Sequence, residues 1–368
     1  MVIRSEIFNL EKTDYEKTPL FLGQDPGVAD TINKQYPVLW NLYKKMKSLD
    51  WDENEFDFSS CMKDFATCDK PIYDAMIKTL AWQWETDSIV SRHIGPLVAP
   101  FVTSTELWAL WQRVSDNELV HASTYSEIVR TSFENPRDIL AEILSVKEAV
   151  ARLEVVGTVF SNCYVVSHKV ALGIISKDSD EAYDAIFLFT VALYCVERVQ
   201  FMGSFLVTFS ICETGIFMPI GLAVQKICQD EFEVHCATDN AILSIEMKTE
   251  RGRQAYLRNK HLIKQMVDEV VNSEKVWNEY IFSEGRELVG LDKEVPFKWV
   301  LWCAKELYEF FDIESPYELP ERDPAPFMQN WISINKNQGS PQEQKLGAYM
   351  LGQVRDDSSD KTYDTGDL

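Results

Sequence analysis

Apolar positions recur along most of the chain at spacings of three and four residues, which is the period of an amphipathic helix. Alternation with a period of two is scarce, and hairpin turn signals are lacking. The pattern predicts helices at about 31–50, 70–93, 104–134, 138–173, 180–211, 217–247, 252–281 and 297–312. The Pro/Gly-rich first 30 residues are predicted to be irregular. We therefore expect an all-α fold.

The polarity of the chain changes near residue 333. The last stretch, "SINKNQGSPQEQKLGAYMLGQVRDDSSDKTYDTGDL", has few large aliphatic residues and should not pack as a core helix. It is either a frayed end or a tether that docks on a partner. We predict a helical domain over residues 1–333 and a flexible C-terminal tail over residues 334–368.

The most apolar region runs roughly from Ala185 to Cys228, but Glu197, Arg198 and Glu213 interrupt it. Because no uncharged run in it reaches 18 residues, a buried core helix is favoured over a membrane span. The charged N-terminus does not resemble a signal peptide. The eight cysteines form no CxxC pair, which favours a reducing compartment. We expect a cytoplasmic protein that does not enter a membrane.

Composition narrows the classes of function. Hydrophobic residues make up 46 % of the chain and aromatic residues 12 %, so the chain can bury a large core. The formal net charge is −22. Because phosphate binding needs clustered Lys and Arg, this acidity argues against a nucleic-acid partner.

One predicted helix carries a candidate pair of metal ligands. Glu118 and His121 are three residues apart in "NELVHASTY", so both side chains lie on one helix face. A single pair of this kind is common by chance. Dinuclear carboxylate sites in ferritin-like bundles need one acid from each of two helices and a Glu/His pair from each of two others.

Three further predicted helices supply the missing residue types. "KTLAWQWETDSIVSRH" offers Asp87, with Glu85 as a competitor, and "LYCVERVQFMGSF" offers Glu197 in an otherwise apolar run. A charge in such a run is costly unless it is paired, protonated or bound to a metal ion. The third segment, "KICQDEFEVHCATDN", offers Glu231 and His235. The complete candidate set comprises Asp87, Glu118, His121, Glu197, Glu231 and His235. Each residue alone has an ordinary explanation, but the ordered set predicts a dinuclear metal site.

Four other residues would border such a site. Tyr125 lies four residues after His121 and so stays on the metal-facing side of its helix. Phe201, Phe205 and Ile227 follow or precede acidic candidates at helical spacing. Beside a redox metal these apolar side chains could shelter a reactive species from water.

The sequence resembles the small, radical-generating subunit of class I ribonucleotide reductase from about residue 40 to the C-terminus. The resemblance rests on "DSIVSR", "NELVHASTY", "VERVQF", "QDEFEVH" and "QEQKLGAYMLGQV", in the order of the family. The tyrosine four residues after the first histidine is its most specific element. Generic ferritin-like proteins and most dinuclear-iron monooxygenases lack this tyrosine.

The resemblance implies a cofactor, a radical and a partner. In the family the six matching positions ligate two iron ions per chain, and activation by O2 leaves a radical on the tyrosine that matches Tyr125. The radical then passes to the large catalytic subunit, which reduces ribonucleotides to deoxyribonucleotides. The resemblance also implies a homodimer. Carboxylate and imidazole ligands suit manganese as well as iron, so the sequence leaves both metals open.

Three further positions match the radical-transfer route of the family. Trp51 in "KSLDWDENEF" resembles the relay tryptophan, and Asp230 resembles the carboxylate that links it to His121. Tyr349 resembles the tail tyrosine that carries the radical to the large subunit. The resemblance therefore favours a docking function for the C-terminal tail.

One motif departs from the family pattern. Three residues separate Glu231 and His235, where the family has two, and this extra residue swings the imidazole by about 100° on a regular helix. A π-bulge over about 228–236 would absorb the insertion. Alternatively, Glu233 takes part or the site is altered. We keep Glu231 as the ligand because "QDE" matches the family before the insertion.

Two other functions stay open at the level of sequence. A ferritin-like dinuclear-iron oxygenase or oxidase could use the same ligands on a small substrate. A helical assembly protein could have lost its metal. Tyr125 and the tail around Tyr349 favour the reductase subunit over the oxygenase, and the complete ligand set argues against the assembly protein.

Overall fold

Helices make up nearly all the regular structure in residues 18–24 and 28–333, the part of the chain that the computed structural model describes. The helices are α1 Pro37–Ser48, α2 Cys61–Thr67, α3 Lys70–Val98, α4 Thr105–Ser132, α5 Pro136–Ile143, α6 Lys147–Arg152, α7 Glu154–Ala171, α8 Asp180–Cys195, α9 Phe201–Cys212, α10 Met218–Asp230, α11 Cys236–Glu246, α12 Glu250–Ile281, α13 Val295–Phe310 and α14 Met328–Ile332. Two π-helices, π1 Val196–Gln200 and π2 Glu231–His235, join α8 to α9 and α10 to α11. Within the described ranges, β pairing is limited to two isolated bridges.

Three of the long helices begin at side-chain caps. Ser104, Ser179 and Thr249 precede α4, α8 and α12, and each hydroxyl oxygen accepts a backbone N–H three residues later, at 3.3, 3.2 and 2.9 Å. Such caps satisfy one of the otherwise unpaired N–H groups in the first turn. The connection 99–104 between α3 and α4 is short, so these two helices pack as an antiparallel pair.

The predicted single helix over 138–173 is wrong, because the chain breaks there into α5, α6 and α7. Ser145 donates its hydroxyl to the Glu142 carbonyl at 2.6 Å, which satisfies a carbonyl group at the end of α5. Ile143, Ala149 and Val156 are each buried, so the apolar periodicity continues through the breaks and does not reveal them.

Other boundaries differ in smaller ways. The predicted helix at 70–93 continues to Val98 and contains Pro96, although proline removes a helical hydrogen bond. The predicted helix at 31–50 begins only at Pro37. The short helices α2 and α14 carry too few periodic positions to be recognised from the sequence.

The centre of the core is the continuous helical stretch α8–π1–α9. This stretch is long and apolar enough to cross a membrane, but 89 % of its most apolar window is buried inside the fold. It is therefore the core helix of a soluble protein, as the interrupting charges predicted. All eight cysteines are free thiols, which agrees with the absence of a disulfide framework.

The predicted C-terminal tail, 334–368, lies outside the described residues, and so does Tyr349. The division into a helical domain and a tail therefore stays a prediction.

Candidate metal centre

Four helical segments bring the six candidate ligands together in the core. Their ligand atoms form two overlapping groups, and within each group the atoms lie within 4.8 Å of one another. One group contains Asp87, Glu118 and His121, and the other contains Glu118, Glu197, Glu231 and His235. All six side chains are buried. Because the groups share Glu118, the arrangement is that of two adjacent sites with a common carboxylate.

Two carboxylates span both imidazoles. Glu118 has one oxygen 3.6 Å from His121 Nδ1 and the other 3.2 Å from His235 Nδ1. Glu231 has its two oxygens 3.0 and 2.6 Å from the same two nitrogens. Both carboxylates therefore lie between the two imidazoles, where they would help to hold a pair of metal ions.

The outer nitrogens of both imidazoles have hydrogen-bond partners. His121 Nε2 lies 3.2 Å from Asp230 Oδ2, and His235 Nε2 lies 3.1 Å from Asn117 Oδ1. Because both partners are acceptors, each Nε2 carries a proton, so Nδ1 is the nitrogen that would hold a metal ion. Both Nδ1 atoms face the carboxylates, which is the orientation that metal-binding histidines need.

The ionised form of the cluster would need bound cations. Burial raises the pKa of Asp87 and of Glu197 well above the usual range, and neighbouring carboxylates raise both further. Apart from the two imidazoles, the oxygens of Asp87, Glu118 and Glu231 have no hydrogen-bond donor in the described part of the chain. With four carboxylates ionised and both imidazoles neutral, as metal binding requires, the cluster would carry a charge of about −4, which is costly to bury unpaired.

Two divalent ions would cancel this charge, so the residues fit a dinuclear metal centre. Within residues 18–24 and 28–333, no Lys or Arg forms an ion pair with any of the four carboxylates. Burial alone would lower the pKa of His235, but the charge of Glu231 beside it raises the value to about 10. The imidazole therefore holds a proton when no metal ion takes its place.

The prediction of a π-bulge is confirmed, since π2 covers the residues from Glu231 to His235. The wider turn absorbs the inserted residue, and both side chains reach the cluster. Glu233, the alternative ligand, instead forms an ion pair with Lys45 at 2.5 Å and is partly exposed. Glu85, the competitor of Asp87, belongs to neither ligand group.

A second π-helix was not predicted. Glu197 lies in π1, within the apolar stretch that joins α8 and α9. No inserted residue marks "VERVQF", so the only sequence signal was the costly acid itself.

Tyr125 is buried, and its hydroxyl makes no hydrogen bond to any described residue. Burial raises the pKa of the phenol well above its usual range, and the charges of Asp87, Glu231 and Glu118 raise it further. The phenol therefore stays protonated. Phe201, Phe205 and Ile227 are fully buried, and the two phenylalanine rings stack with centroids 5.6 Å apart.

A hydrogen-bonded chain links Trp51 to the centre. Trp51 Nε1 donates to Asp230 Oδ2 at 2.7 Å, and the same oxygen lies 3.2 Å from His121 Nε2. The Trp51 and His121 rings are stacked, with centroids 5.9 Å apart. This is the arrangement expected from the resemblance, while the role of these residues in radical transfer stays a prediction.

Asn117 connects the outer sides of both histidines and was missed from the sequence. Its Nδ2 donates to Asp230 Oδ2 at 3.1 Å, and its Oδ1 accepts from His235 Nε2. The available signal was its position four residues before His121 on the buried face of α4.

Replacing Asn117 with Leu should therefore weaken metal binding. Leu has a similar volume but cannot orient His235 or Asp230, and losing such a partner typically lowers metal affinity about 10–100-fold. Metal titration with an absorbing competitor would measure this. Asn33→Leu is the matched control, because Asn33 is exposed and bonds only to Asp30 among the described residues. Unchanged affinity in Asn117→Leu would show that the link is dispensable.

The chain is similar to known proteins over most of its length. The family model described as "Ribonucleotide reductase, small chain" matches residues 29–324. The ribonucleoside-diphosphate reductase subunit beta of Buchnera aphidicola subsp. Schizaphis graminum is 22 % identical over 369 residues, covering 97 % of each chain.

Solved structures share the fold. The ribonucleotide reductase R2 subunit from Clostridium botulinum has a TM-score of 0.73 at 16 % identity, covering 89 % of this chain and 98 % of that one. An R2-like ligand-binding oxidase with a Mn/Fe cofactor has a TM-score of 0.58 at 16 % identity, covering 77 % and 95 %. Because the family match spans most of the chain, the chain belongs to the ribonucleotide reductase small-chain family.

Proposed function

We propose that this small subunit of a class I ribonucleotide reductase stores an oxidising equivalent as a radical on Tyr125. The observation that carries the proposal is the position of Tyr125, which is buried four residues after His121 on the ligand-bearing helix α4. As the beta subunit of a ribonucleoside-diphosphate reductase, the chain acts together with a large subunit. The radical equivalent would pass to that subunit, where ribonucleotides are reduced.

We propose two iron ions as the cofactor, activated by O2. The set of four carboxylates and two imidazoles suits both iron and manganese, and its charge suits two divalent ions. When bound, the metal pair would supply the one-electron oxidant for the tyrosine. The residues that would hold it are Asp87, Glu118, His121, Glu197, Glu231 and His235.

The surroundings of Tyr125 suit the storage of a radical. On oxidation the phenol loses one electron and its hydroxyl proton, and the resulting neutral radical needs no counter-charge. The fully buried Phe201, Phe205 and Ile227 would exclude water and reductants from it.

The route out of the site would begin at His121, Asp230 and Trp51, which the hydrogen bonds above connect. We propose that Tyr349 continues it and that the tail over 334–368 docks on the large subunit. The cytoplasm and a homodimer are proposed from family membership.

A small-substrate oxidase would need a substrate cavity beside the metal ions. Clefts of about 870, 780 and 610 Å³ occur in the described part of the chain. None of the three is lined by any of the six ligands. This arrangement favours the radical-storing function.

Cutting the chain after Tyr349 tests the tail. The described domain holds the whole metal cluster, so metal content and the Tyr125 radical should persist in the truncated chain. Nucleotide reduction with the large subunit should fall to background, because the polar tail would order only on its partner.

Tyr349→Phe separates docking from radical transfer. It keeps the docking surface and removes the redox-active phenol, so binding to the large subunit should persist while turnover falls to background. Full turnover by either variant would show that the tail is only a frayed end and that the radical leaves by another route.

A further inference from the structure

Phe201, Phe205 and Ile227 form the predicted radical pocket of Tyr125, and a buried arginine outside the metal cluster lies against a tryptophan close to it. Arg152, at the end of α6, is only 3 % exposed and pairs with Glu274 of α12, with Nε 2.5 Å from Oε1. It also donates to Ser204 Oγ at 2.8 Å and to the Gln200 carbonyl at 2.5 Å. Burying an ion pair costs desolvation energy that an apolar pair would avoid, so its presence calls for a reason.

The guanidinium lies over the face of an indole. Arg152 Cζ is 3.7 Å from the ring centroid of Trp82, and 4.8 Å from that of Trp277. Trp82 is fully buried and precedes Asp87 by five residues on α3, an axial rise of about 7.5 Å. Its ring meets Phe201 edge-on at a centroid distance of 4.9 Å. Trp82 therefore lies behind the predicted radical pocket, separated from it by Phe201.

Trp82 and Trp51 have opposite electrostatic surroundings. Trp51 Nε1 donates to the Asp230 carboxylate, so an oxidised Trp51 has a negative neighbour and an acceptor for its proton. Trp82 Nε1 makes no hydrogen bond to any described residue. An oxidised Trp82 would keep its proton and carry a positive charge directly against the Arg152 guanidinium.

We infer that Arg152 is a positioning residue whose charge keeps Trp82 from being oxidised, so that the oxidising equivalent reaches Tyr125 and Trp51. The inference rests on the proposed radical function. In the step that Arg152 prevents, one electron would leave the Trp82 indole and reduce the oxidised metal centre by one electron. The indole would remain as a radical cation, since its N–H proton has no acceptor.

The size of the effect follows from Coulomb's law. Two unit charges about 4 Å apart repel strongly enough, even at an effective dielectric constant of about 20, to shift an equilibrium by more than about tenfold. The Glu274 charge opposes this repulsion. Yet Glu274 meets the N–H edge of the guanidinium, so the group that lies directly over the Trp82 ring is the cation.

The first test leaves Arg152 in place. In Tyr125→Phe, loaded with ferrous iron and exposed to O2, the oxidising equivalent must leave through another residue. We expect tryptophan oxidation products at Trp51 and none above the background of the metal-free sample at Trp82, measured by mass spectrometry of peptides. Oxidation of Trp82 at a level equal to that of Trp51 would overturn the inference.

The second test removes the charge. Arg152→Met with Glu274→Gln deletes both partners of the ion pair and leaves no unpaired buried charge. We expect Trp82 oxidation to rise at least about tenfold and the Tyr125 radical to fall, while metal content stays the same. Adding Trp82→Phe should restore the Tyr125 radical. A merely structural role for Arg152 predicts no such rescue.

Two single variants control for the loss of packing. Glu274→Gln retains the cation and should leave Trp82 unoxidised, and Arg152→Lys retains the charge and should protect Trp82 as well. A folded, metal-loaded double variant without Trp82 oxidation would overturn the inference. If the double variant does not fold, the Tyr125→Phe experiment decides. Failure of the proposed function would appear separately, as the absence of a Tyr125 radical in the unaltered chain.

Discussion

Tyr125→Phe should abolish the stored radical while leaving the fold and both metal ions in place. The substitution removes only the phenol oxygen, and the ring continues to fill its buried position. Because that hydroxyl makes no hydrogen bond within the described chain, the free energy of unfolding should change by less than about 1 kcal/mol. Nucleotide reduction with the large subunit should fall to background, because the variant has no phenol at position 125 to store the oxidising equivalent.

Tyr308→Phe is the matched control. Tyr308 is also buried, but it donates its hydroxyl to Asp268 at 3.0 Å, far along the chain from the metal ligands. Its loss should cost about 1 kcal/mol of stability and leave the radical unchanged. We therefore expect Tyr125→Phe to lose the radical and keep its stability, and Tyr308→Phe to keep the radical and lose stability. A full tyrosyl signal in Tyr125→Phe would place the radical on another tyrosine.

Glu118→Ala and His121→Ala should each remove bound metal. Glu118 belongs to both ligand groups, so its loss should reduce occupancy at both sites, whereas His121 belongs to one group and its loss should empty mainly that site. Metal analysis after dialysis would count the ions per chain. Asp116→Ala is the control, because Asp116 lies on the same helix but is exposed and pairs with Arg113.

Glu118→Gln should change the stability of the metal-free protein and of the metal-loaded protein in different directions. In the metal-free protein, Glu118→Gln removes one of four carboxylates that share a buried site, so it should stabilise the fold or leave it unchanged. In the metal-loaded protein the same change deletes a ligand and should destabilise the fold.

For the metal-content prediction, two tightly bound ions in both Glu118→Ala and His121→Ala would contradict the ligand assignment.

Much of the site could be predicted from the sequence because its ligands obey local spacing rules. Glu118 and His121 share a face of α4 simply by being three residues apart, and Glu197 is conspicuous as an acid among apolar neighbours. The insertion between Glu231 and His235 predicted π2, because a helix commonly accommodates one extra residue as a π-bulge.

The remaining features depend on contacts between distant segments, which periodicity does not encode. The hydrogen bonds of Asn117 to Asp230 and His235 span more than a hundred residues of sequence. Arg152 reaches Glu274 and Trp82 in the same way. The breaks inside the predicted helix 138–173 also went unrecognised, because its apolar periodicity continues through them.

The most direct test of the central claim is electron paramagnetic resonance of the chain after loading with ferrous iron and exposure to O2. The sample should be prepared twice, once with ordinary tyrosine and once with ring-deuterated tyrosine, alongside iron analysis. We expect two iron ions per chain and a radical signal whose hyperfine splitting changes on deuteration and which Tyr125→Phe eliminates. Two bound iron ions without any deuterium-sensitive radical would contradict the account.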